Sequence, residues 1–149
     1  MNWNSVKQHF EDHGALVDIF YEGMNNDRWL KLFQWLKGHN ALDSVNCYIP
    51  SKDKNLDLFP NLLESVINEK GFYCFASIKI EGVIVFFRFY EGTELECDVS
   101  PKEIDSMIKV DILLNLLSEV QRVVMASRYI MCPENSRDQI FNINGKFVS

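Results

Sequence analysis

The sequence predicts an α+β domain: a mainly antiparallel sheet built around a central three-stranded meander, with helices packed on one face. Two observations carry that prediction. Residues 72 to 99 hold three β-rich runs, FYCFASIKI, VIVFFRFY and ELECDV, joined at Glu81-Gly82 and Glu91-Gly92-Thr93. Short glycine-containing connections between such runs are hairpin signals, so consecutive strands pair antiparallel. In the last run Leu95, Cys97 and Val99 alternate with Glu94, Glu96 and Asp98. A period of two sends the apolar set to the core and the three carboxylates to the opposite face.

The remaining elements follow in order. Trp3, Val6 and Phe10 stand at helical spacing and predict a short helix over 2–12, ended by Gly14. LVDIFYE, from Leu16 to Glu22, is rich in β-formers and stops at Gly23. Asn25 or Asn26 caps the next helix, Asp27 suits its first turn, and Trp29, Leu32, Phe33 and Leu36 form its apolar stripe before Gly38. Ser44 to Ile49 reads as a strand, with Pro50 forcing its exit and SKDKNLD as a loop. Pro60 opens a helix carrying Leu62, Leu63, Val66 and Ile67 up to Gly71. After the meander, Ser100-Pro101-Lys102-Glu103 has the capping-box pattern and predicts a helix start where the strand ends. Ile112, Leu113, Leu116, Leu117, Val120, Val123 and Val124 then mark a major helix over 109–125. Arg128 to Cys132 returns as a strand, and Asn144-Gly145 joins two last short strands in a hairpin.

The 149 residues are expected to form a single α+β domain, 1–149, large enough to hold a core without metal or disulfide. Eleven Phe, five Tyr and three Trp exclude intrinsic disorder. A net charge of −6 argues against nucleic acid or an anionic membrane as partner and favours a neutral or basic one. No secretory signal is visible at the N-terminus, and the longest apolar run, Val83 to Phe87, is far too short to span a bilayer, so a cytoplasmic location is expected. Cys47, Cys74, Cys97 and Cys132 are widely spaced and fall in strand-like stretches. They are expected as buried thiols, although the spacing leaves a disulfide open.

Chemistry is sparse. No GxSxG, HExxH, Walker or dinucleotide glycine pattern occurs, and no cofactor is expected. His9 and His13 stand four apart, which is metal-ligand spacing with Asp12 nearby, or a pair of solvated histidines. His39 follows Gly38 and suits the carbonyl end of its helix. Glu94, Glu96 and Asp98 are the strongest cluster, about 6–7 Å apart along one strand face. They form a charged outer face on an edge strand, a protein-binding surface, or an acid–base or metal site. With Glu91, Glu103 and Asp105 they give residues 91–105 six acids against one base, a field that attracts a cationic partner. Exposed aromatics anchor protein interfaces, and Trp35 and Tyr90 lie off the core stripes, so each reads either as such an anchor or as a further core residue.

Three segments carry a resemblance. LVDIFYEGMNNDRWLKLFQWL is similar to the strand, short loop and Trp-containing helix that open a group of small bacterial immunity proteins of polymorphic toxin systems. ELECDVSPKEI resembles their acidic strand running into a Pro-started helix, and CPENSRDQIFNI their Pro-Glu-Asn segment. The resemblance covers about residues 15 to 143. It implies a non-catalytic protein that binds a cognate toxin domain, a basic nuclease among the candidates, and neutralises it. On that expectation Glu91, Glu94, Glu96, Asp98, Glu103 and Asp105 are the partner-binding residues. The other expectations are a self-associating adaptor and a small metal-dependent enzyme using the surface carboxylates.

Overall fold

The computed structural model describes residues 1–11, 14–49, 54–55, 73–90 and 92–148. The helix expected from Pro60 to Gly71 lies outside them. In chain order come α1 (Trp3–Val6), a 3-10 turn (Lys7–Phe10), β1 (Val17–Glu22), α2 (Asn26–Gly38), β2 (Leu42–Ile49), β3 (Lys54–Asn55) and β4 (Tyr73–Ile80). They are followed by β5 (Val83–Arg88), β6 (Glu94–Val99), a 3-10 turn (Pro101–Glu103), α3 (Met107–Val124), β7 (Tyr129–Pro133), β8 (Asn142–Ile143) and β9 (Lys146–Phe147).

The described strands form one sheet in the order β3-β2-β4-β5-β6-β1-β7-β8-β9, antiparallel at every pairing. The meander β4-β5-β6 is present, and β1 lies between β6 and β7. Each strand alternates. Val17, Ile19 and Tyr21 of β1, Val83, Val85 and Phe87 of β5, Leu95, Cys97 and Val99 of β6, and Tyr129 and Met131 of β7 join one core. Trp29, Leu32, Phe33 and Leu36 of α2 and Val110, Leu113, Leu116, Leu117, Val120 and Val124 of α3 complete it. The two long helices therefore cover one face of the sheet, as an α+β domain requires.

Polar atoms within this layer are tied to specific acceptors. The fully buried Trp29 stacks on Phe33 and meets Phe89 edge to face, while its Nε1–H donates to the Gly92 carbonyl at 2.7 Å. Tyr21 donates its hydroxyl to the Leu117 carbonyl at 2.6 Å, joining β1 to α3. Trp35 is half-buried, donating Nε1–H to Glu119 of α3 at 3.0 Å, which makes it a bridge between the helices. Truncating an indole such as that of Trp29 to alanine costs roughly 3–5 kcal/mol in a packed core.

Both expected tight turns have left-handed residues at the two central positions: Glu81 and Gly82 at φ 49° and 86°, Asn144 and Gly145 at 53° and 87°. That is the backbone of a type I′ turn, whose twist matches the flanking strands. A Cβ on Gly145 would also lie a tight 3.2 Å from the Tyr129 hydroxyl, which adds to the preference for glycine that the left-handed φ sets. Ser106 Oγ caps α3 at the Lys109 N–H, and Asn25 Oδ1 caps α2 at the Arg28 N–H.

The structure departs from the sequence expectations at several points. The N-terminal helix is one α-turn capped by Asn2 and one 3-10 turn, shorter than 2–12. Ser100-Pro101-Lys102-Glu103 forms only a 3-10 turn: the Glu103 N–H donates to the Ser100 backbone carbonyl at 3.1 Å rather than to its hydroxyl, and the Glu103 carboxylate accepts from the Ile84 N–H at 3.1 Å, beyond the end of the β5–β6 pairing, instead of reaching back to Ser100. Lys54 and Asn55, expected in a loop, form a short edge strand. β6 is an interior strand, flanked by β5 and β1, so its carboxylates do not guard an edge. Cys97 and Cys132 are buried thiols, but Cys74 is disulfide-bonded, and the residue directly opposite it on β2 is Cys47. Directly opposed positions on antiparallel strands lie within disulfide reach, a proximity that only the register reveals.

Met125 ends α3 in the left-handed conformation at φ 55°, ψ 36°, with its side chain largely exposed. Glycine is the natural residue there. Met125→Gly is expected to stabilise the fold by about 0.5–1 kcal/mol, since relief of the left-handed cost exceeds the added chain entropy. Thermal unfolding checks it: an upward shift of roughly 2–3 °C is expected for a domain of this size, and an unchanged or lower midpoint contradicts it.

Candidate functional site

The alternation that fills the core also assembles a polar face on the other side of the sheet. Period two places Glu94, Glu96 and Asp98 of β6 on that face, and the β1 register brings Glu22, Phe20 and Asp18 directly opposite them. On the other flank, Phe86 of β5 lies opposite Asp98 and Arg88 opposite Glu96. Among the described residues no helix packs on this side, where Phe20, Ile130 and Cys132 form a small separate apolar cluster with Ile140 and Ile143.

Two arginines are built into the face. Arg88 forks onto Asp98, Nε to Oδ2 at 2.8 Å and Nη2 to Oδ1 at 3.2 Å, while its guanidinium lies 4.7 Å from the Phe86 ring centroid and 5.4 Å from that of Phe75. Arg137, from the loop after β7, donates Nη1–H to Glu94 at 2.8 Å and Nη2–H to both Glu94 and Glu22, the latter at 3.2 Å. Its guanidinium sits 4.1 Å from the Phe20 centroid. Arg128 stands 3.7 Å from Glu22. Forked, charge-assisted pairs of this kind hold both partners in one geometry, and the aromatic faces add a cation–π attraction.

Between the two clamps stands Glu96, partly exposed, whose carboxylate makes no hydrogen bond or ion pair among the described residues. Burial raises its pKa above the ordinary carboxylate range, repulsion from Asp18, Asp98 and Glu94 adds to the shift, and Arg88 partly offsets it. Asp18 is buried, and its Oδ2 accepts from the Asn135 N–H at 3.1 Å. Its pKa is also raised, by burial first, against the lowering effect of that bond, with Asp98 and Glu134 repelling it. Asp18 was not expected at this site, although VDIFYE already places Asp18, Phe20 and Glu22 on one strand face.

The six acids expected from the sequence are not all gathered here. Glu94, Glu96 and Asp98 form the row just described. Glu103 lies beyond the end of β6, its carboxylate engaged by the Ile84 N–H. Asp105 is exposed in the segment before α3. Glu91 lies outside the described residues. Arg88, Arg137 and Asp18 were missed because they come from other parts of the chain.

Elsewhere the chemistry is quieter. Burial pushes the Cys132 thiol up to about 11, with Asp18 adding to the shift, so it is protonated at neutral pH. No group of three His, Cys, Asp or Glu among the described residues is placed to hold a metal ion. His13 lies outside the described residues. His9 is not solvated as one sequence reading had it: the ring stacks on Phe141 at 4.4 Å and on Phe147 at 5.7 Å, and burial lowers its pKa. His39 stands at the end of α2, but its Nδ1 accepts from the Ala41 N–H at 3.0 Å and so serves the following turn. No helix among the described residues is long and apolar enough to cross a membrane.

No protein-family model and no curated protein matches the sequence. The structure does have a similar solved one. A chain in the crystal structure of the toxic C-terminal tip of CdiA from Pseudomonas aeruginosa in complex with immune protein superposes with a TM-score of 0.57 at 14% identity. The match covers 90% of this chain and 97% of that one. The likeness is one of fold.

Removing the unpaired charge and removing a clamped one have opposite consequences. A carboxyl whose folded pKa exceeds its unfolded value binds protons more tightly when folded, so its contribution to stability falls as pH rises through that interval and the penalty is complete by neutral pH. Glu96→Gln is therefore expected to raise stability at pH 7, with the gain over wild type shrinking as pH falls through that interval and gone below about 4, where both states carry the proton. Asp98→Ala strands Arg88 and is expected to cost about 1–3 kcal/mol. Urea unfolding at pH 7 and at pH 3.5 checks both. A Glu96→Gln variant less stable than wild type at pH 7 contradicts the electrostatic reading.

Proposed function

We propose that the chain is an immunity protein, which binds a cognate bacterial toxin domain one to one and neutralises it without chemistry of its own. The observation that carries this reading is the fold shared, over nearly the full length of both chains, with a chain of a CdiA toxin tip–immune protein complex. The sequence segments that resemble immunity proteins support it independently, as does the net charge of −6.

The partner in this reading is basic, in keeping with a nuclease toxin, and docks on the acidic residues Glu94, Glu96 and Asp98, with Glu91, Glu103 and Asp105 towards the rim. Neither nucleic acid nor membrane has a part in it, and the complex forms in the cytoplasm. Neutralisation by binding asks only for complementarity, high affinity and fast association, and the acid-rich face supplies a field that speeds encounter with a cation by about one to three orders of magnitude at low salt.

Co-expression with the toxin domain encoded beside the gene tests the role. The expected result is survival of the host cell and a one-to-one complex on purification. Continued toxicity in the presence of the soluble chain, or a homo-oligomer with no toxin bound, contradicts it. The charge component is tested by stopped-flow association over a range of ionic strength: the rate constant should fall steeply with added salt for wild type and far less for Glu96→Lys. Equal slopes for the two proteins contradict an acidic contact surface.

A further inference from the structure

Two polar atoms are buried on the core side of the C-terminal strands with no hydrogen-bond partner among the described residues: the Tyr129 hydroxyl and the Asn142 side-chain nitrogen. Tyr129 is 1% exposed and Asn142 0%. The β7–β8 register sets Asn142 opposite Met131, and Tyr129 stands two residues before Met131 on the same strand face. The two side chains are therefore diagonal neighbours, about 7–8 Å apart at the backbone and within reach of one another. Both also meet the same turn. Asn142 Oδ1 accepts from the Gly145 N–H at 2.9 Å, and a Cβ on Gly145 would lie 3.2 Å from the Tyr129 hydroxyl. The first contact fixes the amide, because a flipped Asn142 would turn its NH2 against the Gly145 donor. Nδ2 is thus held as an unmatched donor, and glycine leaves the hydroxyl open to approach from the turn.

We propose that a single internal water molecule binds here, accepting from the Asn142 Nδ2–H and hydrogen-bonding to the Tyr129 hydroxyl. Buried polar groups are costly without partners, and nearly all of them in folded proteins are paired with protein or with ordered water. The neighbouring polar groups are engaged elsewhere. The Tyr21 ring lies 5.2 Å from that of Tyr129, but its hydroxyl is given to the Leu117 carbonyl, and Asn144 Oδ1 already accepts from the Tyr129 N–H and from Gln121. The ligand must be small and neutral, must accept from an amide N–H, and must match a hydroxyl that can donate or accept. Water meets all of these conditions. An ammonium has no lone pair to offer, and a carboxylate or phosphate would bring an uncompensated charge beneath the sheet. Two protein partners are enough to hold a buried water. The site joins β8 to β7, and the loop that carries Arg137 to Glu94 runs between those two strands. The water therefore anchors the far end of that loop from the core side.

The test has two arms. A crystal structure of the full chain, at a resolution that orders water, is expected to show one water within hydrogen-bond distance of both Tyr129 Oη and Asn142 Nδ2. A direct bond between those two atoms, or no density beside them, overturns the proposal. The second arm is urea unfolding of Tyr129→Phe, which keeps the ring and removes the hydroxyl. A hydroxyl bonded to water predicts that the unfolding constant rises by about threefold to tenfold. Tyr21→Phe, which deletes a hydroxyl bonded directly to a carbonyl, calibrates that loss and should give a rise of similar size. A hydroxyl with no partner predicts the opposite, because removing a buried polar atom that bonds nothing leaves the fold as stable or more so. A Tyr129→Phe variant at least as stable as wild type therefore overturns the proposal as well.

Discussion

Strand β1 lies between β6 and β7, and its alternate residues belong to two different parts of the molecule. Val17, Ile19 and Tyr21 enter the core beneath α2 and α3, while Asp18, Phe20 and Glu22 face the other way, against the β6 acids. The constraint is the two-residue repeat of the strand. A slip of one residue in the β1–β6 register would send Asp18 and Glu22 into the helix-covered core and bring Ile19 and Tyr21 out. The Tyr21 hydroxyl bond to Leu117 and the docking of Trp29 beside Phe89 hold the helix layer to the sheet. The geometry of the acidic face is therefore a consequence of how the core is packed.

The electrostatics of that face are unequal by construction. Two of its carboxylates are satisfied by forked arginines that also cover phenylalanine rings, which limits exposed apolar area and fixes side chains that would otherwise be mobile. The third, with Asp18 close by, pays for its position through raised proton affinity. A charge kept at a cost to stability is characteristic of a surface shaped for something other than folding. Binding of a cation would remove the repulsion that the free protein carries.

Much of the fold was legible in local sequence because it rests on local rules. The ELECDV alternation, the Glu81-Gly82 and Asn144-Gly145 turns, and the stripes of α2 and α3 each depend on neighbours a few residues apart. What sequence could not show is the order of strands. Asp18 and Asp98 are opposite one another across a ladder but eighty residues apart in the chain, and Arg137 reaches Glu94 from the loop beyond β7. The site was accordingly half visible: the β6 row could be read, but the arginines that occupy two of its three positions could not. The capping-box signature misled for a related reason, since Glu103 is drawn to the unpaired Ile84 N–H of β5, a partner set by tertiary structure.

Carboxyl footprinting with a water-soluble carbodiimide, comparing the free chain with its toxin complex, tests the central claim most directly. The account predicts that Glu96 is labelled in the free protein and protected in the complex, while Asp111, exposed on the helix layer, is labelled equally in both. Protection of Asp111 with Glu96 still open would place the partner on the helices and contradict the account.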